Sequence, residues 1–197
     1  MRASGSPSVG PSFVHLRVHS EYSIVDGMLR IDDAVSAAAQ DRMPALALTD
    51  LANVFGLVKF YTAARKTGVK PIVGCDLWIT HEAERDQPHR LVLLCQSREG
   101  YLRLCDWLTR AYRVNQHRGR AELKRDWMAE GTAGLIALSG FRDGDVGQAL
   151  EQGNADGAAA AARAWAALFP DRYYFEVQRA GRSGDDALTA AMVRLAA

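Results

Sequence analysis

The side chains best suited to metal binding or proton transfer are the histidines and carboxylates, and the first of them lie near the amino terminus. From residue 13 to residue 19 apolar and polar side chains alternate, which predicts a short strand. Because successive side chains of a strand point to opposite faces, His15, Arg17 and His19 should share one face. We interpret His15 as a hydrogen-bonded core histidine. The remaining histidines are interpreted as exposed loop residues: His81, His89 and His117. No nucleophile triad and no glycine-rich phosphate loop can be recognised in the sequence.

The overall charge argues against a strongly basic nucleic-acid-binding domain. The 197 residues carry 24 Lys and Arg against 23 Asp and Glu. The local exception is the basic stretch 110–125, which we interpret as a solvated helix end and loop because charge runs usually are. The tryptophans lie far apart in sequence and are interpreted as packing anchors rather than as a base-stacking platform.

The cysteines and apolar runs indicate a cytoplasmic protein. Cys75, Cys95 and Cys105 show no C-x-x-C spacing, so we expect reduced thiols rather than a zinc site. Residues 1–12 are rich in Ser, Gly and Pro and are predicted to be a flexible leader. No segment has the apolar length of a signal peptide or a membrane span, so we expect no membrane association.

Strand-like and helical segments alternate after this leader. Strands are predicted at 45–49, 69–79, 90–95, 134–139 and 173–178, and helices at 31–42, 55–66, 101–112, 144–152, 155–168 and 185–197. Such alternation predicts an α/β fold with a parallel sheet or barrel and right-handed crossovers. Functional side chains of such barrels collect at the carboxyl ends of the strands. We expect one domain over residues 13–197, and the uncapped final helical pattern suggests a fragment of a longer protein.

A series of short motifs carries a more specific signal. In chain order they are FVHLRVHSEYSIVDG (13–27), PALALTD (44–50), NVFGLVKFY (53–61), GVKPIVGCD (68–76), LSG (138–140), GDVG (144–147) and FPDRY (169–173). Together they resemble the PHP (polymerase and histidinol phosphatase) domain at the front of bacterial DNA polymerase III alpha subunits. The resemblance implies a distorted (β/α)7 TIM-like barrel, the PHP fold, which is C-terminally incomplete in this chain.

Active PHP domains hold a cluster of metal ions that activates water against phosphate esters, and the resemblance indicates which positions would supply the ligands. Three of these positions keep ligand residues, namely His19, Asp26 and Glu176, and Asp76 stands where active members have Glu.

Other ligand positions are replaced. Arg17 stands where the family has histidine, as does Arg90, although the neighbouring His89 leaves an uncertainty of one residue. Leu51 and Phe141 occupy two further ligand positions. Arginine is always protonated and has no lone pair to donate, so it repels a dication. We therefore predict no metal in this chain.

The retained carboxylates suggest a replacement for the metal. We hypothesise that Asp26, Asp76 and Glu176 form a cluster of ion pairs with Arg17 and Arg90, close to His19. The alternative is that both arginines extend into solvent without organised pairing.

The resemblance also implies a function. The parent protein would be a DNA-directed DNA polymerase acting in chromosomal replication, with Mg2+ held by palm carboxylates outside this chain. This domain would be metal-free and non-catalytic, would support the polymerase, and would dock the proofreading exonuclease (epsilon) subunit. Other polymerase III holoenzyme subunits and DNA would bind through the missing parts. The alternatives are a metal-dependent phosphoesterase, either a 3′-5′ exonuclease or a small-molecule phosphatase, and a free-standing binding module.

Overall fold

This computed structural model describes residues 13–196, which form a seven-stranded sheet flanked by helices. The strands are β1 (Ala45–Leu48), β2 (Lys70–Ile79), β3 (His89–Cys95), β4 (Gln116–His117), β5 (Arg120–Leu123), β6 (Leu135–Leu138) and β7 (Tyr173–Tyr174). The helices are α1 (Ile31–Gln40), α2 (Leu57–Thr67), α3 (Arg98–Val114), α4 (Asp145–Glu151), α5 (Ala155–Leu168) and α6 (Asp185–Ala196). The leader predicted at 1–12 lies outside the described residues.

The sheet is mixed rather than parallel. Its order is β4-β5-β2-β3-β6-β7, with β1 paired to the start of β2. Strands β1 and β5 run parallel to β2, and β7 runs parallel to β6, but β3 is antiparallel to both β2 and β6. Residues 80–88 between β2 and β3 are too few for the crossover that a parallel pair requires. The predicted α/β class is confirmed, and within residues 13–196 the sheet does not close, as expected for a distorted and incomplete barrel; the expected parallel pairing is wrong at β3.

Residues 13–19, here called the entry segment, run beside β1 but do not form the predicted regular strand. The carbonyl oxygens of His15 and Val18 accept hydrogen bonds from the N–H groups of Ala47 at 3.0 Å and Thr49 at 2.9 Å. The chain bends at Leu16. The Val18 N–H then donates to the Thr49 side-chain oxygen at 2.8 Å, so a side chain replaces a backbone partner.

Two other elements differ from the sequence-based expectation. The strand predicted at 173–178 is paired only over Tyr173–Tyr174. The basic stretch 110–125 contains the end of α3 and the β4–β5 hairpin, whose turn residues Arg118 and Gly119 both have positive φ, at 49° and 78°. Four of its five arginines are also matched by acids: Arg110, Arg118, Arg120 and Arg125 pair in turn with Glu130, Asp86, Glu122 and Asp145.

Apolar side chains pack on both faces of the sheet. The largest cluster joins β2, β3 and β6 to α3, α5 and α6, and a second packs α1 and α2 against β1. Trp107, Trp127 and Trp165 are buried in the first cluster, which confirms their interpretation as packing anchors, whereas Trp78 is only half-buried and its ring lies against the Arg90 guanidinium, 4.3 Å from its centroid. A smaller third cluster lies on β1, β3 and β6: Ala47, Val92, Leu94 and Leu138. None of the helices within residues 13–196 is both long enough and apolar enough to cross a membrane.

Candidate functional site

A buried carboxylate on β2, that of Asp76, is the centre of the candidate site. Asp76 faces Val92 across the antiparallel β2–β3 pair, so Arg90, two residues earlier on β3, lies on the same face of the sheet. The Arg90 guanidinium donates from Nε to Asp76 Oδ1 at 2.8 Å and from Nη2 to Oδ2 at 2.7 Å. This bidentate pairing settles which strand position faces the site, because the neighbouring His89 lies beside Gln148 Oε1 instead, at 3.0 Å.

Arg17 connects the entry segment to the centre and to the far edge of the sheet. Its Nη2 and Nε lie 2.6 and 2.8 Å from Asp76 Oδ2. Its Nη1 donates to Glu176 Oε1 at 3.2 Å and to the carbonyl oxygen of Gly140 at 3.4 Å. Glu176 follows β7 and is itself held by a hydrogen bond from its N–H to Ser139 Oγ at 3.0 Å. Arg17 therefore bridges segments that lie at opposite sides of the open sheet.

His19 contacts a carboxylate with each of its ring nitrogens. Nδ1 lies 2.9 Å from Asp26 Oδ1, and Nε2 lies 3.0 Å from Asp76 Oδ2. A carboxylate only accepts, so both contacts are hydrogen bonds only when both nitrogens carry a proton. Burial alone would lower the pKa of His19, but the bonds to these two carboxylates outweigh it and raise that pKa. The geometry therefore favours the imidazolium form.

Positive and negative groups balance in this cluster. Burial disfavours the Asp76 carboxylate, yet hydrogen bonds from Arg90 and His19 and the charge of Arg17 hold its pKa well below the usual range. Burial likewise disfavours the Arg17 cation, and the charges of Asp76 and Glu176 outweigh it and raise the pKa of Arg17. The Asp76 side chain is 0% exposed, Arg90 8% and Arg17 12%, so neither arginine extends unpaired into solvent. The structure thus brings all six predicted residues together: Arg17, His19, Asp26, Asp76, Arg90 and Glu176.

The sequence of residues 15–180 matches the PHP domain family. This chain belongs to that family. Its fold is also similar to that of a candidate metal-dependent phosphoesterase from Bifidobacterium adolescentis, with a TM-score of 0.53 and 11% identity, covering 94% of this chain and 85% of the other. At that identity the likeness concerns the fold alone.

Curated relatives of this PHP domain are named DNA polymerase III subunit alpha. The relative from Pseudomonas fluorescens is 43% identical over 185 residues, which is 94% of this chain. Those from Neisseria meningitidis serogroup A and Escherichia coli K12 are 46% and 41% identical over 86% and 94% of this chain. The chain spans only 15–16% of the length of these relatives.

A second buried carboxylate of the PHP domain, Asp50, was not singled out from the sequence. It follows β1 and accepts hydrogen bonds from the Ser20 N–H at 2.6 Å, the Ser20 hydroxyl at 2.9 Å and the Ser23 hydroxyl at 2.9 Å. The Ser23 oxygen in turn accepts from the Leu51 N–H at 2.8 Å. Asp50 thereby fixes the loop that carries Asp26. The sequence did contain a signal for Asp50, because this residue directly follows a predicted buried strand and ends one of the motifs of the family.

The residues of this PHP domain do not fit a metal cluster. Both Asp76 oxygens already accept from guanidinium groups, and both ring nitrogens of His19 already lie against carboxylate oxygens. Two replaced ligand positions are apolar and buried, since Leu51 and Phe141 pack in the interior. Among residues 13–196, no group of three or more His, Cys, Asp and Glu side chains is arranged to hold a metal ion.

Proposed function

We propose that this chain is the amino-terminal region of the alpha subunit of a replicative DNA polymerase III. The support is the identity of 41–46% to relatives that carry this name, over 86–94% of the chain. The polymerase active site, with the Mg2+ ions that serve template-directed nucleotide addition, would lie outside these residues. DNA and other holoenzyme subunits would likewise bind to the remaining parts of the parent protein.

Within that parent, this PHP domain is a metal-free and non-catalytic unit. The observation that supports this role is the cluster around Asp76. There Arg17 and Arg90 place permanent positive charges against a carboxylate that is 0% exposed. A phosphoesterase of this fold needs free electron pairs on its ligands to hold metal ions. Guanidinium groups offer none, so the cluster supplies structure instead of a hydrolytic centre.

The structural role follows from what Arg17 connects. It joins the entry segment to Asp76 on β2 and to Glu176 beyond β7. A domain fixed in this way is a rigid support for the polymerase. Because it has no hydrolytic centre of its own, it would serve as the docking site for a separate proofreading exonuclease, the epsilon subunit.

Metal analysis and a hydrolysis assay together test the non-catalytic role. The purified full-length polymerase is dialysed against manganese, its metal content is measured, and release of phosphate from a generic phosphate ester is followed. The PHP domain should contribute neither stoichiometric metal nor turnover. A polymerase-inactive variant, altered only in the palm carboxylates, is the control for metal held elsewhere. Metal that remains in that variant together with ester hydrolysis would establish the rival function, a metal-dependent phosphoesterase.

Docking is tested by mixing the full-length polymerase with its purified exonuclease subunit and measuring the equilibrium affinity. The proposal expects a stable complex that requires the PHP domain. A parent protein whose PHP domain is deleted but whose polymerase activity persists should lose this complex. Equal affinity with and without the domain would refute the docking role.

A further inference from the structure

The amino ends of β1 and β2 carry an exposed group of cations at some distance from the Asp76 cluster. Lys70 begins β2 and pairs with Ala45 at the start of β1, whereas Asp76 is level with Leu51, beyond the end of β1. At about 3.3 Å per residue, roughly 20 Å of strand separates Lys70 from Asp76. Helices α1 and α2 end at the same edge, because each leads back to the start of a strand. We call the four exposed cations at this edge the basic end: Arg42, Arg65, Lys66 and Lys70.

Most acids of this region lie at the opposite end of the two helices. Lys59, near the start of α2, pairs with Glu21 at 2.9 Å and with Asp32, in the first turn of α1, at 3.6 Å. Lys66 lies seven residues further along α2, which is about 10 Å along the helix axis. That distance equals about one Debye length at 0.1 M salt, so the paired charges at the start of the helices affect the basic end little.

The positive charge of the basic end is not neutralised within residues 13–196. Among these residues, Lys59 is the only cation of α2 with a salt bridge, and neither Arg42 nor Lys70 forms one. Asp41 is next to Arg42 in sequence, but it lines a hollow beside His15 rather than the groove between α1 and α2. Each helix end contributes only about half a negative charge, so the ends of α1 and α2 together offset roughly one of the four positive charges. The basic end therefore remains positive, although the charge of the whole chain is nearly balanced.

An exposed aromatic ring lies beside the basic end. Tyr61 is 50% exposed and precedes Arg65 by four residues, so the two side chains are neighbours on the solvent face of α2. Cations beside an exposed aromatic ring are typical of surfaces that bind single-stranded nucleic acid, because the cations contact phosphates and the ring stacks on an unpaired base. An acidic peptide would also suit the cations, but it offers no flat base to the ring. The combination therefore favours a single-stranded nucleic acid.

We propose that the basic end and Tyr61 bind single-stranded DNA, with the phosphate backbone on the four cations and a base stacked on the tyrosine ring. This inference goes beyond the proposed function, which assigns DNA binding to the remaining parts of the parent protein. It rests on that function only in the choice of DNA as the nucleic acid. Contacts to phosphates carry no sequence information, so the surface accepts any base sequence.

The first test removes the charge of the basic end in the full-length polymerase. The variant carries Arg42→Gln, Arg65→Gln, Lys66→Gln and Lys70→Gln, and its Kd for a fluorescein-labelled oligothymidylate is measured by fluorescence anisotropy, with a saturating primed duplex that occupies the polymerase site. A matched control removes the same charge at four exposed arginines on α3, α5 and α6: Arg98→Gln, Arg113→Gln, Arg163→Gln and Arg194→Gln. At about 50 mM salt we expect Kd of the basic-end variant to rise at least about tenfold, and the slope of log Kd against log salt to fall by about 0.7 for each lost phosphate contact. The control should keep both values.

Two further measurements do not depend on how well the fourfold variant folds. Tyr61→Leu keeps an apolar side chain but removes the ring, so Kd for the oligothymidylate should rise at least about fivefold. Photo-cross-linking of a thiothymidine oligonucleotide to the unmodified polymerase, followed by mass spectrometry, should identify modified residues between positions 57 and 70.

The outcomes separate this inference from the proposed function. If the polymerase binds primed duplex, but the cross-links lie outside residues 42–70 or both fourfold variants weaken binding equally, the inference fails and the proposed function stands. An unchanged Kd for Tyr61→Leu refutes the stacking contact. If the polymerase binds neither duplex nor oligothymidylate, the proposed function fails and this inference fails with it. An unchanged Kd for the oligothymidylate, together with weaker binding of oligoglutamate by the basic-end variant, would assign the surface to an acidic protein, which also overturns the inference.

Discussion

Arg17→Ala should lower the free energy of unfolding of the PHP domain substantially. The substitution removes the contacts to Asp76 at 2.6 and 2.8 Å and the contact to Glu176 at 3.2 Å. Breaking a buried ion pair by removing one partner costs roughly 3–5 kcal/mol. Asp76 still keeps Arg90 and His19, whereas Glu176 loses its guanidinium partner, so we expect a loss near the lower limit, about 3 kcal/mol. At about 2–4 °C per kcal/mol for a domain of this size, the melting temperature should fall by roughly 6–12 °C.

Thermal unfolding of the PHP domain measures this effect, and hydrogen exchange in the parent protein locates it. Exchange should increase in the entry segment and around β7, because Arg17 joins these two regions. Arg17→Lys keeps the charge but not the planar fork that reaches two carboxylates, so its loss should be intermediate. Arg179→Ala, at an exposed arginine beyond β7, is the matched control and should change little. A melting temperature for Arg17→Ala within about 1 °C of the unmodified domain would refute the reasoning.

Three further changes test the cluster and the loop beside it. Asp76→Asn leaves Arg17 and Arg90 buried without their shared counter-charge and should cost roughly 3–5 kcal/mol, measured by urea unfolding. Because the pKa of His19 is raised, protonated His19 contributes fully to the free energy of unfolding below the unfolded pKa of about 6.5, and this contribution is lost as the pH rises through the folded pKa. His19→Gln should therefore flatten the decline in stability above neutral pH. An unchanged pH profile would contradict the imidazolium assignment. Asp50→Asn weakens the acceptor of three hydrogen bonds and should cost about 1–3 kcal/mol, with faster hydrogen exchange confined to residues 20–29.

Sequence patterns predicted the helices and most strands because burial imposes their periodicity. Helix α5 begins and ends where predicted, at Ala155 and Leu168, because an alanine-rich run favours a helix, Asn154 caps its start and Pro170 follows soon after its end. Local periodicity does not indicate the direction of β3; the sequence signal for its antiparallel direction is the connection at residues 80–88, which is too short for a parallel crossover. The β4–β5 hairpin was missed because its turn is Arg118-Gly119, while hairpin turns are usually recognised by Asn-Gly or Asp-Gly.

The sequence predicted which residues form the candidate site, but not which of them contact one another. Motif positions identified the cluster residues, yet the sequence left open whether His89 or Arg90 faces the site. The β2–β3 register decides this, because it places Arg90 diagonally opposite Asp76. Asp50 escaped notice since its role is to accept hydrogen bonds from a loop 27–30 residues earlier in the chain, which no short motif records.

The contact between Arg17 and Glu176 spans 159 positions of sequence, which affects the order in which the domain can form during synthesis. The entry segment leaves the ribosome early, but its guanidinium has no glutamate partner until β7 has been translated. Contacts this distant in sequence form slowly, because a long stretch of chain must be ordered first. The charged interior of the nascent domain therefore stays incomplete until Glu176 has been added, and chaperone binding should be strongest during that interval.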